Sequence, residues 1–466
     1  MEKEQNIQNE SSLQDGLALD EEETEDIAEQ IQYLIEQDNQ QAAIELLSQF
    51  RPGDQGEVIE ELPIETQQEI LTTLPPKEAA EILEHLEPED VVKVSEGVDS
   101  SVLSDILDEA DSDITADILR QLPEEQAQDV LGEMEEAAEV IPLLQYPDDS
   151  AGGRMILEYL VVKDYATTAD TLDTLRQQEL EVKDIRSVFV VDAEEHLVGE
   201  LSVARLALAR PKTMVRDIMD SDIIFVTSET HQEECARVME HYNLYQLPVV
   251  DKDRRLVGVI MSEDIIDVIE EEATEDMYKL AGIPGERVFG PLSISMRNRL
   301  PWLSINLITT FLAALVISIF ESTIARVVTL AVFLPVVAGQ GGIGGTQTLT
   351  LVVRSMALGE ISRRGGFRLL GREISLGLIH GILLGVAVAV VAFIWKGNYM
   401  LGAVLGMAMV GNMVIAGLTG AGIPLLLTRL RIDPAVASAV VVTTCTDVVG
   451  FFLFLGLATA LVSFLI

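Results

Sequence analysis

Residues 434–466 read PAVASAVVVTTCTDVVGFFLFLGLATALVSFLI. The run exceeds the ~20 apolar residues that cross a bilayer, and its one charge is Asp447. A carboxylate at that depth costs roughly 2.5–3.5 kcal/mol on insertion scales. It is either kept neutral, paired with a base, or turned toward a water-filled cation path. No Lys, Arg or His shares the span, which favours the cation path. Thr443, Thr444 and Thr446 offer hydroxyls beside it, suited to the waters around a hydrated ion.

Outward from this stretch the chain divides in two. Its 466 residues carry a net charge of −46, yet between Leu300 and Ile466 the acids are Glu321, Glu360, Glu373, Asp433 and Asp447 alone. Five apolar stretches, 300–320, 325–353, 373–395, 400–428 and 434–465, are long enough to span. Basic residues gather before the first (Arg297, Arg299), after the second (Arg354, Arg363, Arg364, Arg368, Arg372) and after the fourth (Arg429, Arg431). Lys and Arg mark the cytoplasmic side. This predicts a multi-pass protein of a cell membrane, inner or plasma, with a cytoplasmic N-terminus and an extracytoplasmic C-terminus.

Within the second span, VVAGQGGIGGTQTLTLVVRS at 336–355 is rich in glycine and polar side chains. Two readings stand: a pore lining with Gly345, Thr346, Gln347 and Thr350 offering oxygens, or close helix packing through small residues. GNMVIAGLTGAGIP at 411–424 has the same ambiguity, and Pro424 is expected to kink its helix.

The acidic half excludes nucleic acid as a partner, because phosphate recognition needs a basic face. Its carboxylates suit hard divalent cations, which prefer oxygen ligands. Cys235 and Cys445 fall in different halves, as expected of a reducing compartment. Residues 1–24 have no apolar core of a signal peptide and read as a disordered acidic tail. After them a period of twelve places Leu62, Leu74, Leu86, Val98, Ala110, Leu122 and Met134 in register. Apolar pairs precede most of them, and Pro63, Pro75 and Pro123 mark helix starts. Short stacked helices follow, an all-α superhelical domain over 25–153.

A second repeat aligns RSVFVVDAEEHLVGELSVARLALA (186–209) with YQLPVVDKDRRLVGVIMSEDIIDVI (245–269). Each copy reads strand, turn, strand, helix. The pair resembles tandem CBS domains, here 154–212 and 213–270, a module that senses adenosyl ligands or ions. Its nucleotide pattern ends in an acid, which only the second copy has, at Asp264; the first has Arg205. ATP is therefore an expectation for one copy. A connecting helix over 271–296 precedes the membrane domain, 297–466. In it Glu272, Glu275 and Asp276 share one helical face.

This multi-domain order, with an all-α repeat domain, an α/β CBS pair, a long connecting helix and an all-α domain of five spans, is similar to the MgtE family of magnesium transporters and channels. The motifs that carry the resemblance are EEATED at 271–276, GGIGGTQ at 341–347, DPAVAS at 433–438 and TTCTD at 443–447. The resemblance implies a homodimer in the lipid bilayer with one ion path at its interface. Asp447 would hold hydrated Mg²⁺ in the pore, and Asp433 would lie at the cytoplasmic end of the last span. Asp264, Asp267, Glu272, Glu275, Asp276, Glu233 and Asp90 would bind regulatory Mg²⁺, which closes the path. Five departures stand out. Ile343 replaces a common Asn, Ala439 and Val440 replace a small or polar residue and Pro, and His231 and Asn243 replace carboxylates.

Two alternatives remain. One is transport of Co²⁺, Mn²⁺ or Na⁺ in the same scaffold. The other is a membrane-anchored adenylate sensor. An enzyme is not expected, since the chain has no P-loop, zinc motif or nucleophile–base pair.

Overall fold

The computed structural model describes residues 19–465, apart from 87, 178–185, 287–291, 362–364 and 437–438. Most of the expected tail, Arg363 and Arg364 of the basic loop, and the last two residues of DPAVAS lie outside the described residues. The chain forms two compact units, Met1–Ile269 and Glu270–Ile466.

The first unit opens with the helix Glu21–Glu36, so residues 21–24, expected in the tail, form its first turn. Asp20 explains the start: its carboxylate accepts from the Glu23 amide, and the Glu23 side chain returns the bond. Helices of two to three turns follow, among them Ile64–Thr73, Pro76–Leu83 and Glu124–Glu133. Pro63, Pro75 and Pro123 sit at their N-caps, where a fixed φ and a missing N–H cost nothing. Helices two places apart in the chain pack together, as in a solenoid. The twelve-residue period fills its core: Leu62, Leu74, Leu86, Val98, Leu122 and Met134 are buried, and Ala110 packs at the margin.

Two small three-stranded sheets follow. In the first, β1 (Val161–Lys163) pairs parallel with β2 (Ser187–Val191), which pairs antiparallel with β3 (Leu197–Ser202). In the second, β4 (Val226–Thr227), β5 (Gln246–Val250) and β6 (Leu256–Met261) repeat this order. The matched residues have matched work. Asp192 Oδ1 accepts from the amides of Glu194 and His196, both at 2.9 Å, and closes the β2–β3 turn. Asp251 Oδ1 does the same for Asp253 and Arg255, at 2.8 and 2.9 Å. Both LVG glycines permit close approach: a Cβ on Gly199 would lie 2.7 Å from the Asp220 carbonyl, and one on Gly258 2.5 Å from Met155 Sδ. The second sheet shares one apolar core with the helical repeats.

The second unit holds five helices long and apolar enough to cross a membrane among the described residues: Leu292–Ile319, Thr329–Ala357, Gly365–Lys396, Tyr399–Arg429 and Ala439–Ala460. Each overlaps one expected span. The fourth helix runs unbroken through Pro424. Lipid gives apolar side chains no incentive to meet, so packing here depends on small residues. The third and fourth spans follow this rule: Cβ atoms on Gly381 and Gly385 would lie 2.7 Å from Val410 Cα and from the Gly406 carbonyl. A Cβ on Gly402 would lie 2.6 Å from the Ala389 carbonyl, and one on Gly417 2.5 Å from the Glu373 carbonyl. This is an antiparallel seam of backbone on backbone. Gly381→Leu is therefore expected to split the pair and lower the detergent melting temperature by ~10 °C or more, whereas Gly371→Leu, with open space at its Cβ, leaves it unchanged.

Candidate functional site

The second and fifth spans border an open groove of about 970 Å³. From the second come Gly342, Ile343, Thr346, Gln347, Thr350 and Arg354; from the fifth come Thr443 and Asp447. The helical period selects them: steps of three and four keep side chains on one face. The opposite face of the second span packs inward, where Gly341 meets Asn412, Gly344 meets Met413 and Gly345 meets Val442. The glycine-rich stretch therefore packs closely on one face and borders the groove on the other.

Three residues expected at the lining are elsewhere. Gly345 is buried against Val442. Thr446 is fully buried, and its hydroxyl donates to the Thr443 carbonyl at 2.9 Å. Thr444 donates to the Val440 carbonyl at 2.6 Å and does not reach the groove. For Thr446 the reason is angular, since one residue from Asp447 turns a side chain about 100° off its face, whereas the Thr444 hydroxyl is held by Val440. Asp447 itself is half-buried and has neither hydrogen bond nor ion pair among the described residues.

A second cluster involves the helix Ser262–Ala281. Its Lys279 ammonium lies 2.9 Å from Glu275 Oε1 and 2.8 Å from Asp433 Oδ2. Burial favours a neutral amine, but the two carboxylates outweigh it and hold Lys279 protonated well above the usual lysine range. The other Asp433 oxygen accepts from the Ala435 amide at 2.8 Å, and neighbouring Leu280 packs on Leu349, Val353, Ala435 and Val442. Two expected ligands thus share a built-in cation. Lys279 follows Glu275 by four residues, the spacing of a helical ion pair, which was a legible signal.

A third cluster lies within the first unit. Burial raises the Asp264 carboxyl to about 7, helped by the charges of Glu263, Asp111 and Asp267. Glu84 is pushed up to about 7 by burial and then by Asp111 and Glu81. Asp113 is held well above the carboxylate range by burial, Asp264 and Asp111. Helical repeats and CBS pair therefore meet acid to acid. The sequence reading named Asp264 but missed Glu84, Asp111 and Asp113. Asp90, expected among the ligands, pairs with Lys93. Asp267 and Glu233 are exposed, while Glu272 and Asp276 are half-buried.

As for the nucleotide pattern, Asp264 Oδ2 accepts from the Met261 amide at 3.3 Å, and Arg205 donates to the Ile218 carbonyl at 3.0 Å. The departures have local explanations. His231 caps the helix Gln232–Tyr242, its Nδ1 accepting from the Glu233 amide. Asn243 closes that helix at φ 52°, a left-handed position that Asn tolerates well. Ile343 is 58% exposed and lines the groove.

Three family profiles match the chain. MgtE, described as a divalent cation transporter, matches 334–457; the MgtE intracellular N domain matches 22–111 and 50–149; and the CBS domain matches 215–271. The chain is similar to the magnesium transporter MgtE of Thermus thermophilus, 37% identical over 70% of this chain and 72% of that protein. It is 34% identical to the magnesium transporter MgtE of Bacillus subtilis, over 71% of this chain and 73% of that one. Among solved structures, the cytosolic domain of the Mg²⁺ channel MgtE in complex with ATP is 34% identical and covers 52% of this chain and 99% of that one, at a TM-score of 0.48.

Proposed function

The chain belongs to the MgtE family of divalent cation transporters, and on that premise we propose that it moves Mg²⁺ across the membrane through the groove that holds Asp447. The observation that carries this reading is the groove itself. One carboxylate without a protein partner among the described residues shares the groove with the hydroxyls of Thr346, Thr350 and Thr443, the amide of Gln347 and the guanidinium of Arg354. Mg²⁺ dehydrates reluctantly and keeps several waters, so a wide strip of oxygens suits it better than a tight cage. The groove is open on one side. A second copy across a two-fold axis would close it and bring a second Asp447, matching the charge of a divalent ion. The side bearing the soluble unit is proposed as cytoplasmic, on the count of basic loop residues.

Cytosolic Mg²⁺ is proposed to close the path by lying between acids. Oxygen donors alone, in a cluster whose charges oppose one another, fit a hard cation at Glu84, Asp111, Asp113 and Asp264. There a cation would supply the positive charge that removes their repulsion. Without it the carboxylates push the helical repeats and the CBS pair apart. Glu275 and Asp433 fit such an ion less well, because Lys279 already supplies one positive charge between them. That ammonium is proposed to hold the connecting helix against the membrane domain. Lys279→Gln is then expected to raise Mg²⁺ uptake at high internal Mg²⁺ about threefold to tenfold, the effect of a tether of ~1 kcal/mol. Uptake equal to wild type would make the bridge incidental. ATP at the CBS pair is proposed on the family resemblance alone, and no catalytic role is assigned.

The reading is tested by Mg²⁺ uptake into proteoliposomes with an entrapped indicator, repeated against Co²⁺, Mn²⁺ and Na⁺. Uptake of another cation without Mg²⁺ would overturn the cargo, and uptake of none would favour a sensor.

A further inference from the structure

Asn412 lies midway along the fourth span and is fully buried, at 0% exposure. Its Nδ2 donates to the Val337 carbonyl of the second span at 2.8 Å, while its Oδ1 has no partner among the described residues. Two glycines flank the amide. Gly341 of the second span packs against it so closely that a Cβ there would collide with Nδ2. Gly450 of the fifth span approaches from the other side, where a Cβ would lie 2.7 Å from Nδ2 and 2.8 Å from Cγ. One planar group is thus clamped between the two helices that wall the groove.

The bland account is a polar residue gluing helices together inside a membrane. It explains the bond to Val337. It does not explain why a site so tightly packed keeps an acceptor that nothing satisfies, when leucine would fill similar volume without that penalty. Rules broken locally gather at functional sites, and the geometry points to this one. Gly341 precedes Gly342, which lines the groove, and Gly450 follows Asp447 by three residues. A Cβ on Gly342 would lie 3.3 Å from Thr443 Cγ2, so the two walls also touch beside the clamp.

We propose that Asn412 is a positioning residue for the cation path: its amide fixes the separation of the wall bearing Thr346 and Gln347 from the wall bearing Asp447, and thereby sets the preference for Mg²⁺ over the larger Ca²⁺. The proposal rests on the transport reading above. Asn412 touches no ion; it acts through Gly341 and Gly450. The two ions hold their water shells differently, Mg²⁺ in a near-octahedral shell at about 2.0–2.1 Å and Ca²⁺ in a looser one at about 2.3–2.6 Å. Walls that meet those waters suit one ion better than the other. A wall that shifts by a fraction of an ångström therefore changes their ratio before it changes the fold.

The experiment compares Mg²⁺ and Ca²⁺ uptake by full-length wild type, Asn412→Leu, Gly450→Ala and the double variant Asn412→Ala/Gly450→Ala in proteoliposomes, with melting temperature and elution volume recorded for each. The Mg²⁺/Ca²⁺ ratio of Asn412→Leu is expected to fall about tenfold, as for a functional group displaced by about an ångström, with folding retained. Gly450→Ala, whose methyl pushes on the amide, is expected to lower the ratio too, and the double variant, which has no amide, to stay low. An unchanged ratio in Asn412→Leu, with uptake and folded protein falling together, overturns the proposal. If Asn412→Leu does not fold, Gly450→Ala and the double variant decide, and a wild-type ratio in either overturns it. Wild type that moves no Mg²⁺ overturns the transport reading instead.

Discussion

Asp447→Asn is expected to lower Mg²⁺ uptake about a hundredfold or more while leaving the protein folded. The amide keeps the shape of the side chain and removes its charge. At an effective dielectric of about 20, a unit charge ~5 Å from a divalent ion contributes roughly 6 kcal/mol. If hydration cancels half of that, ~3 kcal/mol remains, and each 1.4 kcal/mol is about tenfold. A closed two-fold pore would lose the charge twice. Among the described residues no other carboxylate lines the groove to substitute for it. Stability should not suffer, because a neutral amide is cheaper than a carboxylate at membrane depth, and Asp447 gives up no hydrogen bond or ion pair among the described residues. Uptake into proteoliposomes and elution from a sizing column check both halves. Equal uptake by the two proteins would move the path away from this groove. Loss of folding would make Asp447 a structural residue.

The spans were legible because hydropathy is a one-dimensional property and each apolar run is bounded by charge. Which face of a span meets the groove was only partly legible. Asp447 and Thr443 could be paired from their spacing of four, since the charge marks a face. Gly345 and Thr446 could not be sorted, because what decides their side is another helix: Val442 in the first case, and the buried packing around the fifth span in the second. Among the soluble acids the limit is different. With 77 Asp and Glu in the chain, sequence alone cannot say which ones meet. The helical repeats bring Glu84, Asp111 and Asp113 toward Asp264 across more than 150 residues of chain, and Asp90 is left with Lys93. The departures at His231 and Asn243 read as lost ligands in the sequence; in the structure they open and close one helix.

Those meeting acids give the second large effect, a coupling between Mg²⁺ and pH in the stability of the full-length protein. Glu84 and Asp264 ordinarily titrate at 4.5 and 3.8 and are both raised to about 7 in the folded arrangement. Between those values the folded state binds protons that the unfolded chain has released, so stability falls as pH rises. The contribution is fully present below about pH 4 and lost as pH passes through about 7. A cation between the deprotonated carboxylates does what protons do at lower pH. Without Mg²⁺ the soluble part should therefore melt several degrees lower at about pH 8 than at about pH 6, and saturating Mg²⁺ should raise the midpoint more at the higher pH. Glu84→Gln combined with Asp264→Asn should flatten both dependences, since neutral amides neither repel nor titrate. Equal Mg²⁺ stabilisation at both pH values would mean that the ion binds away from this cluster. The repulsion would then be relieved by protons alone, and the proposed closure by Mg²⁺ would have to rest on the acids of the connecting helix instead.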